Sequence, residues 1–431
     1  MTRRFRFVNQ YFVPAEAATG RILADVVAWL TAKGVTCEVI ASDRSYADPR
    51  ARFPRRATWQ GAEVCRIATT GFGRGSRLRR VVDYATFLFG AGPSLLRRPR
   101  PDLIVGLSDP PILGAAVVLA ARICGTRSVY WVMDLYPELA FALGVLRPGG
   151  LPGRLFSSIS GWALRRADLV VTLGETMAGR LRDLGGRNVV AINNWADGSA
   201  IQPKVALMSR YRRERGWDEK LVVLYSGNMG LAYEFKTMVR AAERLRNISE
   251  IVFAFVGGGP RRSEVESEVH RLGLPNVEFH SAVPAEELAD SLASGDLHVV
   301  SMAPGMAGLL VPSKLYGILA AGRPVVYVGP AEGEVFEIVS GGACGWCVSN
   351  GDAEGLARVV ESVRANPSEA RAAGARARTL FDDQFARDRQ IKALADVLMS
   401  LLGESETLSR SRTGPVPAQP AQPSGKGCRQ E

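Results

Sequence analysis

Histidine and cysteine are scarce in this chain, whose 431 residues include only three of the first and six of the second. Six scattered cysteines lack the density of a disulfide scaffold. Cys344 and Cys347 form a Cys-x-x-Cys pair, but no second pair or nearby histidine completes a zinc-binding set. We therefore expect packed thiols in a reducing compartment, no metal ion and no bound cofactor.

Long hydrophobic runs are missing as well. The most apolar window, residues 112–123, is too short to span a bilayer and is interrupted by Arg122. Met1–Arg4 leads directly into a strand-like segment, so we expect no signal peptide. These features predict a cytoplasmic protein and leave open a peripheral position at the inner face of the cell membrane.

Two common nucleotide-binding motifs are absent from the places where they would be expected. Neither a P-loop nor a Gly-x-Gly-x-x-Gly pattern follows the first predicted strand of either half of the chain. This argues against a P-loop nucleotide hydrolase and against a typical dinucleotide-dependent oxidoreductase.

Positive charge, in contrast, is abundant and concentrated in the first half. The net charge is +11, and Arg44–Arg100 alone holds 13 basic and 3 acidic residues. Such a face attracts anionic lipid, an anionic substrate or nucleic acid, whereas a solvated arginine-rich surface is the alternative. Because no aromatic-interleaved binding motif accompanies the arginines, we predict an anionic membrane surface as the partner and no nucleic acid.

Short apolar runs alternate with longer amphipathic segments, which predicts an α/β protein with two doubly wound parallel sheets. We predict one domain over 1–200, a second over 201–385, a C-terminal helix over 386–403 and a disordered tail over 404–431. The predicted strands of the first half are Phe5–Asn9, Cys37–Ala41, Asp102–Gly106, Ser128–Met133, Leu169–Leu173 and Val189–Ile192. Those of the second half are 221–225, 251–256, 276–280, 297–302 and 325–329.

Loops rich in glycine follow the strands of the second half. Ligands bind at the carboxyl ends of strands in open parallel sheets, and glycine lets the backbone approach a ligand closely. Tight strand-to-helix turns also use glycine without any ligand, so each loop taken alone is ambiguous. Four such loops on successive strands favour a nucleotide diphosphate. The candidate residues are Gly227, Asn228, Met229, Gly230, Gly258, Pro260 and Val283.

The segment 311–324 predicts a loop, a helix of about nine residues and a glycine stop before a buried strand. Ser313 suits an N-cap, which would leave the amides of Lys314, Leu315 and Tyr316 free. The helix dipole disfavours a lysine in the first turn unless an anion such as a phosphate lies beside it. The alternative is an ordinary surface helix with a solvated lysine. We add Pro312, Ser313, Lys314 and Leu315 to the candidate site.

The order of these motifs resembles that of GT-B glycosyltransferases of family 4, in the bacterial surface-polysaccharide branch. The resemblance extends from about residue 5 to residue 395. Its motifs are Asn9–Pro14 with Ala18–Gly20, Gly106–Pro111, Tyr130–Glu138, Tyr225–Gly230 and Pro312–Lys314.

The resemblance implies two Rossmann-like domains that face each other across a cleft. It implies a retaining hexosyl- or N-acetylhexosaminyltransferase, with a UDP-linked sugar as donor and a hydroxyl of a lipid-linked saccharide as acceptor. The second half would hold the nucleotide sugar, and the first half would hold the acceptor. The implied acceptor-side residues are Glu16, Thr19, Gly20, Asp109 and Glu138.

The chain departs from the family pattern in its charged donor residues. Many members have a Glu-x7-Glu pair, whose places are taken here by Leu309 and Gly317. An Arg and a Lys usually neutralise the diphosphate, and Asn228 and Tyr233 stand at those places. Lys314 is therefore the best remaining cation and a candidate catalytic residue.

The family often has a histidine in the acceptor half, but all three histidines of this chain lie in the second half. Asp134 is next to that place and is the other candidate catalytic residue; the alternative is that it only orients a turn. Two other functions stay open: a nucleotide-sugar epimerase of the same architecture, and a nucleotide-sugar-binding protein without activity.

Overall fold

The computed structural model describes residues 3–15, 17–46, 48, 50–73 and 77–403. Its strands form two separate sheets, one in each half of the chain, and all strand pairs are parallel except the β3–β4 hairpin. Two α/β units are therefore confirmed. Glu16 and the tail 404–431 lie outside the described residues.

The first sheet has eight strands in the order β3-β4-β2-β1-β5-β6-β7-β8. They are β1 Arg4–Val8, β2 Thr36–Ser42, β3 Arg56–Trp59, β4 Ala62–Ile67, β5 Leu103–Leu107, β6 Arg127–Trp131, β7 Leu169–Thr172 and β8 Val189–Ala191. The second sheet has six strands in the order β11-β10-β9-β12-β13-β14. They are β9 Leu221–Ser226, β10 Ile251–Val256, β11 Val277–His280, β12 Leu297–Ser301, β13 Val325–Val328 and β14 Gly345–Val348.

Helices cover both faces of each sheet. Those of the first half are α1 Ala18–Ala32, α2 Arg77–Leu95, α3 Leu113–Cys124, α4 Glu138–Ala142, α5 Leu151–Arg166 and α6 Glu175–Asp183. Those of the second half are α7 Arg210–Arg213, α8 Lys236–Arg244, α9 Arg262–Leu272, α10 Leu288–Ala293, α11 Lys314–Ala320, α12 Glu334–Gly341, α13 Ala353–Ala365, α14 Pro367–Leu380 and α15 Arg387–Ser400. Among the described residues, no helix is both long and apolar enough to cross a membrane.

Strand alternation separates the two faces of the first sheet. Phe5 and Phe7 of β1 pack into the core that includes α1, whereas Val8 packs into the core that includes α2 and α3. Right-handed crossovers explain this division, because the chain moves one way along the sheet after β1 and the opposite way after β4. Helices α2, α3 and α5 consequently lie on the same face.

The last described helix, α15, packs against the first half of the chain. Helix α15 buries Ile391, Leu394 and Leu398 and contacts α1 of the first half. Arg387 at its start pairs with Asp197 in the segment that joins the two sheets. The last helix therefore ties the second half to the first, while the domain limits at 200 and 385 stay a prediction.

Candidate active site

Two glycine-containing turns pack against each other at the carboxyl ends of β9 and β10. The amide of Gly227 donates to Val256 O at 2.8 Å, and that of Met229 donates to Gly258 O at 2.6 Å. A Cβ at Gly257, whose φ is +139°, would lie 2.1 Å from Gly227 O. Glycine is therefore required there by the contact between the two turns, with or without a ligand.

Gly258 differs from its neighbours, because a Cβ at this position would meet nothing within 4 Å. Asn228 and Pro260 are exposed, whereas Met229 and Gly230 are buried. Val283 is half-buried and packs against the small core that contains Trp217. We call residues 226–230 and 257–260 the glycine rim; its open side is at Gly258.

Lys314 extends from the start of α11 into an aromatic cradle beneath the rim. Its Nζ lies 3.6 Å from the ring centroid of Tyr225 and 4.6 Å from that of Tyr233. Gly227 makes room for it, since a Cβ there would lie 3.3 Å from Lys314 Cε. The hydroxyl of Tyr225 donates to Asn228 O at 2.8 Å, so the cradle and the rim are one unit.

The lysine nitrogen is buried and has no hydrogen-bond acceptor among the described residues. Burial lowers the pKa of Lys314 well below its ordinary value. Two desolvated cation–π contacts offer about 2 kcal/mol each, against several kcal/mol for desolvating the ion. The two cation–π contacts therefore offset only part of the cost of burying the charged form of Lys314. The alternative of a solvated lysine is wrong.

The start of α11 differs from the expectation in one respect. Ser313 adopts helical dihedral angles and its exposed side chain makes no capping hydrogen bond, so the predicted N-cap is wrong. The helix has seven residues, from Lys314 to Ala320. The amide of Leu315 donates to Pro312 O at 3.2 Å and is not free. The expectation that all three amides are free is therefore wrong for Leu315.

Asp134 lies in the loop that follows β6, three residues after its last residue, Trp131. Its backbone forms a bridge with Leu310, and the next amide, that of Leu135, donates to Leu309 O at 2.8 Å. Burial raises the pKa of Asp134 to about 6. After burial, the Asp134 charge is the largest contribution that raises the pKa of the Tyr233 phenol. Tyr233, which forms one wall of the lysine cradle, is therefore also close to the Asp134 carboxyl group.

A second contact joins the two halves. The carboxyl group of Glu334 accepts a hydrogen bond of 2.7 Å from the amide of Met177, at the start of α6. A Cβ at Gly174 would lie 2.1 Å from Glu334 Cγ, so glycine is needed for this approach. The two halves are thus joined by backbone contacts at Asp134 and Leu135 and by a side-chain-to-backbone contact at Glu334.

A depression lined mainly by polar residues opens in the first half. Tyr46, which lines it, also contributes to the raised pKa of Tyr233, so the depression and the cradle are neighbours. Asp109, one of the acceptor-side candidates, is among the lining residues. The others are Gln10, Tyr11, Ser42, Arg44, Ser45, Tyr46, Thr69, Thr70, Gly71, Gly73, Arg80, Asp83 and Tyr84.

Among the described acceptor-side candidates, Thr19, Gly20 and Glu138 do not line this depression. Thr19 accepts a hydrogen bond from Asn9 Nδ2 at 3.3 Å, and a Cβ at Gly20 would lie 2.9 Å from Tyr11 O. Both residues therefore hold the loop after β1 against α1. Glu138 starts α4, and its Oε2 is buried without a partner among the described residues. Burial raises the pKa of Glu138.

Sequence reasoning missed the aromatic cradle and most of the depression. Tyr225 ends an ordinary buried strand, and only the fold brings it to a lysine at position 314. Arg80 and Tyr84 of the depression lie one turn apart in α2, whereas Tyr11, Arg44 and Tyr46 come from the loops after β1 and β2, so no single local spacing relates all five. Among the described residues, no cluster of three His, Cys, Asp or Glu side chains is able to hold a metal ion.

Comparison with protein families decides the class of this molecule. The model of the glycosyl transferase 4-like domain matches residues 18–195, and that of the glycosyl transferases group 1 matches residues 220–366. The chain is a glycosyltransferase of this family. The two matched regions correspond to the two sheets.

Curated relatives agree with this assignment. The chain is 27% identical over 342 residues to the putative colanic acid biosynthesis glycosyl transferase WcaI of Escherichia coli, covering 76% of this chain and 83% of WcaI. It is 25% identical over 325 residues to the probable glycosyltransferase WbjE of Pseudomonas aeruginosa, covering 75% and 80%.

Solved structures confirm the GT-B fold. Sucrose-phosphate synthase from Thermosynechococcus elongatus has a TM-score of 0.74 at 16% identity, over 94% of this chain and 100% of that one. Anabaena HepE, solved with UDP and glucose, has a TM-score of 0.70 at 17% identity, over 92% and 100%.

Proposed function

We propose that this glycosyltransferase moves a hexosyl or N-acetylhexosaminyl group from a UDP-linked sugar to a hydroxyl of a lipid-linked saccharide, with retention of configuration. Its pathway would be the synthesis of a cell-surface polysaccharide at the inner face of the membrane. The observation that carries the proposal is the buried, acceptor-less Lys314 beneath the glycine rim. WcaI, named for colanic acid biosynthesis, and HepE, solved with UDP-glucose, support the pathway and the donor.

In this reaction the bond between the anomeric carbon and the diphosphate oxygen breaks. The acceptor oxygen bonds to the same carbon from the same face, and its proton passes to the departing diphosphate. Lys314 stabilises the negative charge that develops on the leaving group, where one such donor contributes about 3–4 kcal/mol to the barrier. Asp134, on the opposite wall, orients the acceptor hydroxyl.

The burial of Lys314 is the physical reason for assigning it to the leaving diphosphate. Without a ligand, the protein bears the cost of desolvating a cation or keeps the amine neutral. A diphosphate beside Lys314 would offset this cost with its negative charge. The stabilisation would act on the leaving diphosphate, where negative charge accumulates during transfer. A solvated lysine, already paired with water, would gain far less.

The experiment combines donor binding with product analysis. A thermal-shift screen against UDP, GDP, ADP and dTDP should show a selective rise in melting temperature with UDP. At a hundredfold excess of UDP over its Kd, binding stabilises the folded state by about 2.7 kcal/mol. Incubation with UDP-sugars and an acceptor should then give a glycoside with the anomeric configuration of the donor, in the presence of EDTA. An inverted product would refute retention, and loss of activity in EDTA would refute the prediction of no metal.

The same incubation separates the alternatives. Conversion of the UDP-sugar to its epimer without transfer would identify an epimerase. Binding of UDP-sugars without any product would identify a binding protein that has lost activity, as the absence of the Glu-x7-Glu pair allows.

A further inference from the structure

Glu138 is a buried carboxyl group that the reaction proposed above leaves unused. It is the first residue of α4, and it does not line the depression of the first half. Its Oε2 is buried and has no hydrogen-bond partner among the described residues. Burial raises the pKa of Glu138. Nearly all buried polar atoms in proteins have partners, and an exception of this kind is typical of a place where a ligand binds.

The backbone holds Glu138 close to the contact between the two halves. The amide of Leu135 donates to Leu309 O at 2.8 Å, and the amide of Leu139 donates to Leu135 O at 2.9 Å. The first turn of α4 therefore continues directly from the segment that pairs with the second half. Glu138 belongs to this turn, one residue before Leu139.

Steric and electrostatic contacts place the Glu138 carboxyl group beside the same loop of the second half. A Cβ at Gly308 would lie 2.7 Å from Arg180 Nε, so the loop packs against Arg180. Burial raises the pKa of Glu138 and the Arg180 charge opposes this shift, so the guanidinium is near the carboxyl group. Burial also raises the pKa of the Tyr130 phenol, and the charges of Glu138 and Asp134 raise it further. Glu138 and Asp134 therefore lie close to one phenol at the junction of the two halves.

The loop at this junction has no hydrogen-bonding side chains of its own. Residues 303–312, which lead to Lys314, contain no hydroxyl, amide or charged side chain. The next step rests on the proposed function: a sugar that is bonded to a diphosphate at Lys314 and attacked from the Asp134 side lies beside this loop. Its hydroxyls lose hydrogen bonds to water on binding and need replacements. Side chains of the loop cannot supply these, whereas those of the first half can.

We propose that Glu138 binds the donor sugar, with its Oε2 accepting a hydrogen bond from a hydroxyl of the group to be transferred. The resemblance implied an acceptor-side role for Glu138, and the donor sugar takes its place here. Because Oε2 is covered in this structure, the sugar reaches it when the loop at Gly308 moves away from Arg180. A site that hydrogen-bonds a substrate hydroxyl discriminates against analogues that lack it. Glu138 thus selects among donor sugars, while Lys314 holds the diphosphate that all of them share.

Calorimetric titrations separate contact with the sugar from contact with the nucleotide. The probes are UDP, UDP-glucose and UDP-N-acetylglucosamine, together with GDP and GDP-mannose. Glu138→Gln should weaken binding of the nucleotide sugar that wild type prefers by about tenfold, because a charged hydrogen bond becomes a neutral one. Its Kd for the matching nucleotide diphosphate should stay unchanged.

Glu337→Gln is the matched control for these titrations. Glu337 is exposed at the same junction, where its carboxyl group accepts a hydrogen bond of 3.4 Å from Thr176 Oγ1. The substitution removes the same charge as Glu138→Gln does. It should bind the nucleotide diphosphate and the nucleotide sugar as wild type does.

Deoxygenated donors test the contact itself. A series of analogues of the preferred nucleotide sugar would each lack one hydroxyl. Wild type should bind one of them about tenfold more weakly than the parent, because Glu138 is left without its partner. Glu138→Gln should bind that analogue and the parent with nearly equal affinity, since the two changes remove the same interaction. Equal losses in wild type and variant for every analogue would show that Glu138 does not contact the sugar.

Thermal unfolding distinguishes this role from a purely structural one. Because burial raises the pKa of Glu138, its charged form destabilises the folded state at neutral pH, and Glu138→Gln should leave the unfolding midpoint unchanged or raise it. A residue that served only the fold would lower the midpoint when replaced and would weaken both ligands alike. That result, or unchanged affinity for the nucleotide sugar, overturns the proposal.

The outcomes also separate this proposal from the proposed function, because binding is measured without acceptor or turnover. If Glu138→Gln selectively weakens the nucleotide sugar but wild type never transfers it, the contact stands and the proposed transfer fails. If the variant binds and transfers sugar as wild type does, the contact fails and the transfer stands. Absence of binding of every nucleotide sugar to wild type would overturn both.

Discussion

The glycine rim and the polar depression lie beside the same cleft but consist of different parts of the protein. The rim is backbone: two turns locked by amide–carbonyl bonds, with one buried lysine between two tyrosines. The depression is made of side chains from separate segments, with Arg44 and Asp109 in loops and Arg80 in α2. Backbone contacts suit a diphosphate that every donor shares, whereas side chains are easily exchanged and suit an acceptor that differs among enzymes.

The largest expected effect comes from removing the lysine. Lys314→Ala should lower kcat/KM by about 10²–10³ because the leaving group loses its cation. The control Lys236→Ala removes an exposed lysine from the same half. Steady-state kinetics of both variants check this prediction, and equal kcat/KM values would contradict the role of Lys314.

The next effect distinguishes structural from ligand-facing glycines within the rim. Gly257→Ala would place Cβ against Gly227 O and should destabilise the protein by about 1–3 kcal/mol, with loss of UDP binding. Gly258→Ala has open space and should leave the unfolding midpoint unchanged. If Gly258→Ala also leaves UDP affinity unchanged, the open side of the rim is not the donor site.

The pH dependence of kcat/KM tests the role of Asp134. Since burial raises the pKa of Asp134 to about 6, its carboxylate form is lost below that pH, and kcat/KM should fall about tenfold per pH unit there. The raised pKa also means that the unfolding free energy decreases as pH rises from about 4 to 6. Asp134→Asn should therefore be more thermostable than wild type at pH 7 and less active, without the acidic limb. If kcat/KM of Asp134→Asn falls at acidic pH as it does in wild type, Asp134 takes no part in the reaction.

The smallest effect is expected in the depression. Arg80→Gln should raise the acceptor KM by about tenfold, the value of one charged hydrogen bond, and leave the Kd for UDP unchanged. Arg371→Gln, on the far side of the second half, serves as the charge control. A change in UDP affinity instead would place the depression on the donor side.

The sequence predicted most of this fold because strands buried on both faces are continuous apolar runs, as Val222–Tyr225 illustrates. Helix α2 was missed for the opposite reason. Its exposed Leu78 and Phe89 and its Pro93 hide the inward stripe of Phe87 and Leu95.

The site was predicted in part for similar reasons. The glycine turns and Lys314 can be recognised in the sequence because they occur at fixed places after strands. Tyr225 and Tyr233 were not assigned to the lysine because their contact with it depends on packing across β9 and α11. Ser313 was misassigned because a serine before a helix caps it only when its backbone is extended.

The missing Glu-x7-Glu pair also has a structural setting. A Cβ at Gly317 would lie 3.5 Å from Leu292 Cδ1 and 3.9 Å from Ile201 Cδ1, within apolar surroundings. Leu309 is buried in the main core. These positions therefore serve packing in this chain.

Calorimetric titration of UDP into wild type and Lys314→Met tests the central claim most directly. Because burial depresses the lysine pKa, a bound diphosphate should restore its charge with uptake of a proton. The apparent enthalpy of wild type at pH 7.5 should therefore vary with the ionisation enthalpy of the buffer. Lys314→Met, which removes the buried amine, should bind UDP at least about tenfold more weakly and show no buffer dependence. Equal UDP affinity in the two proteins would contradict the account.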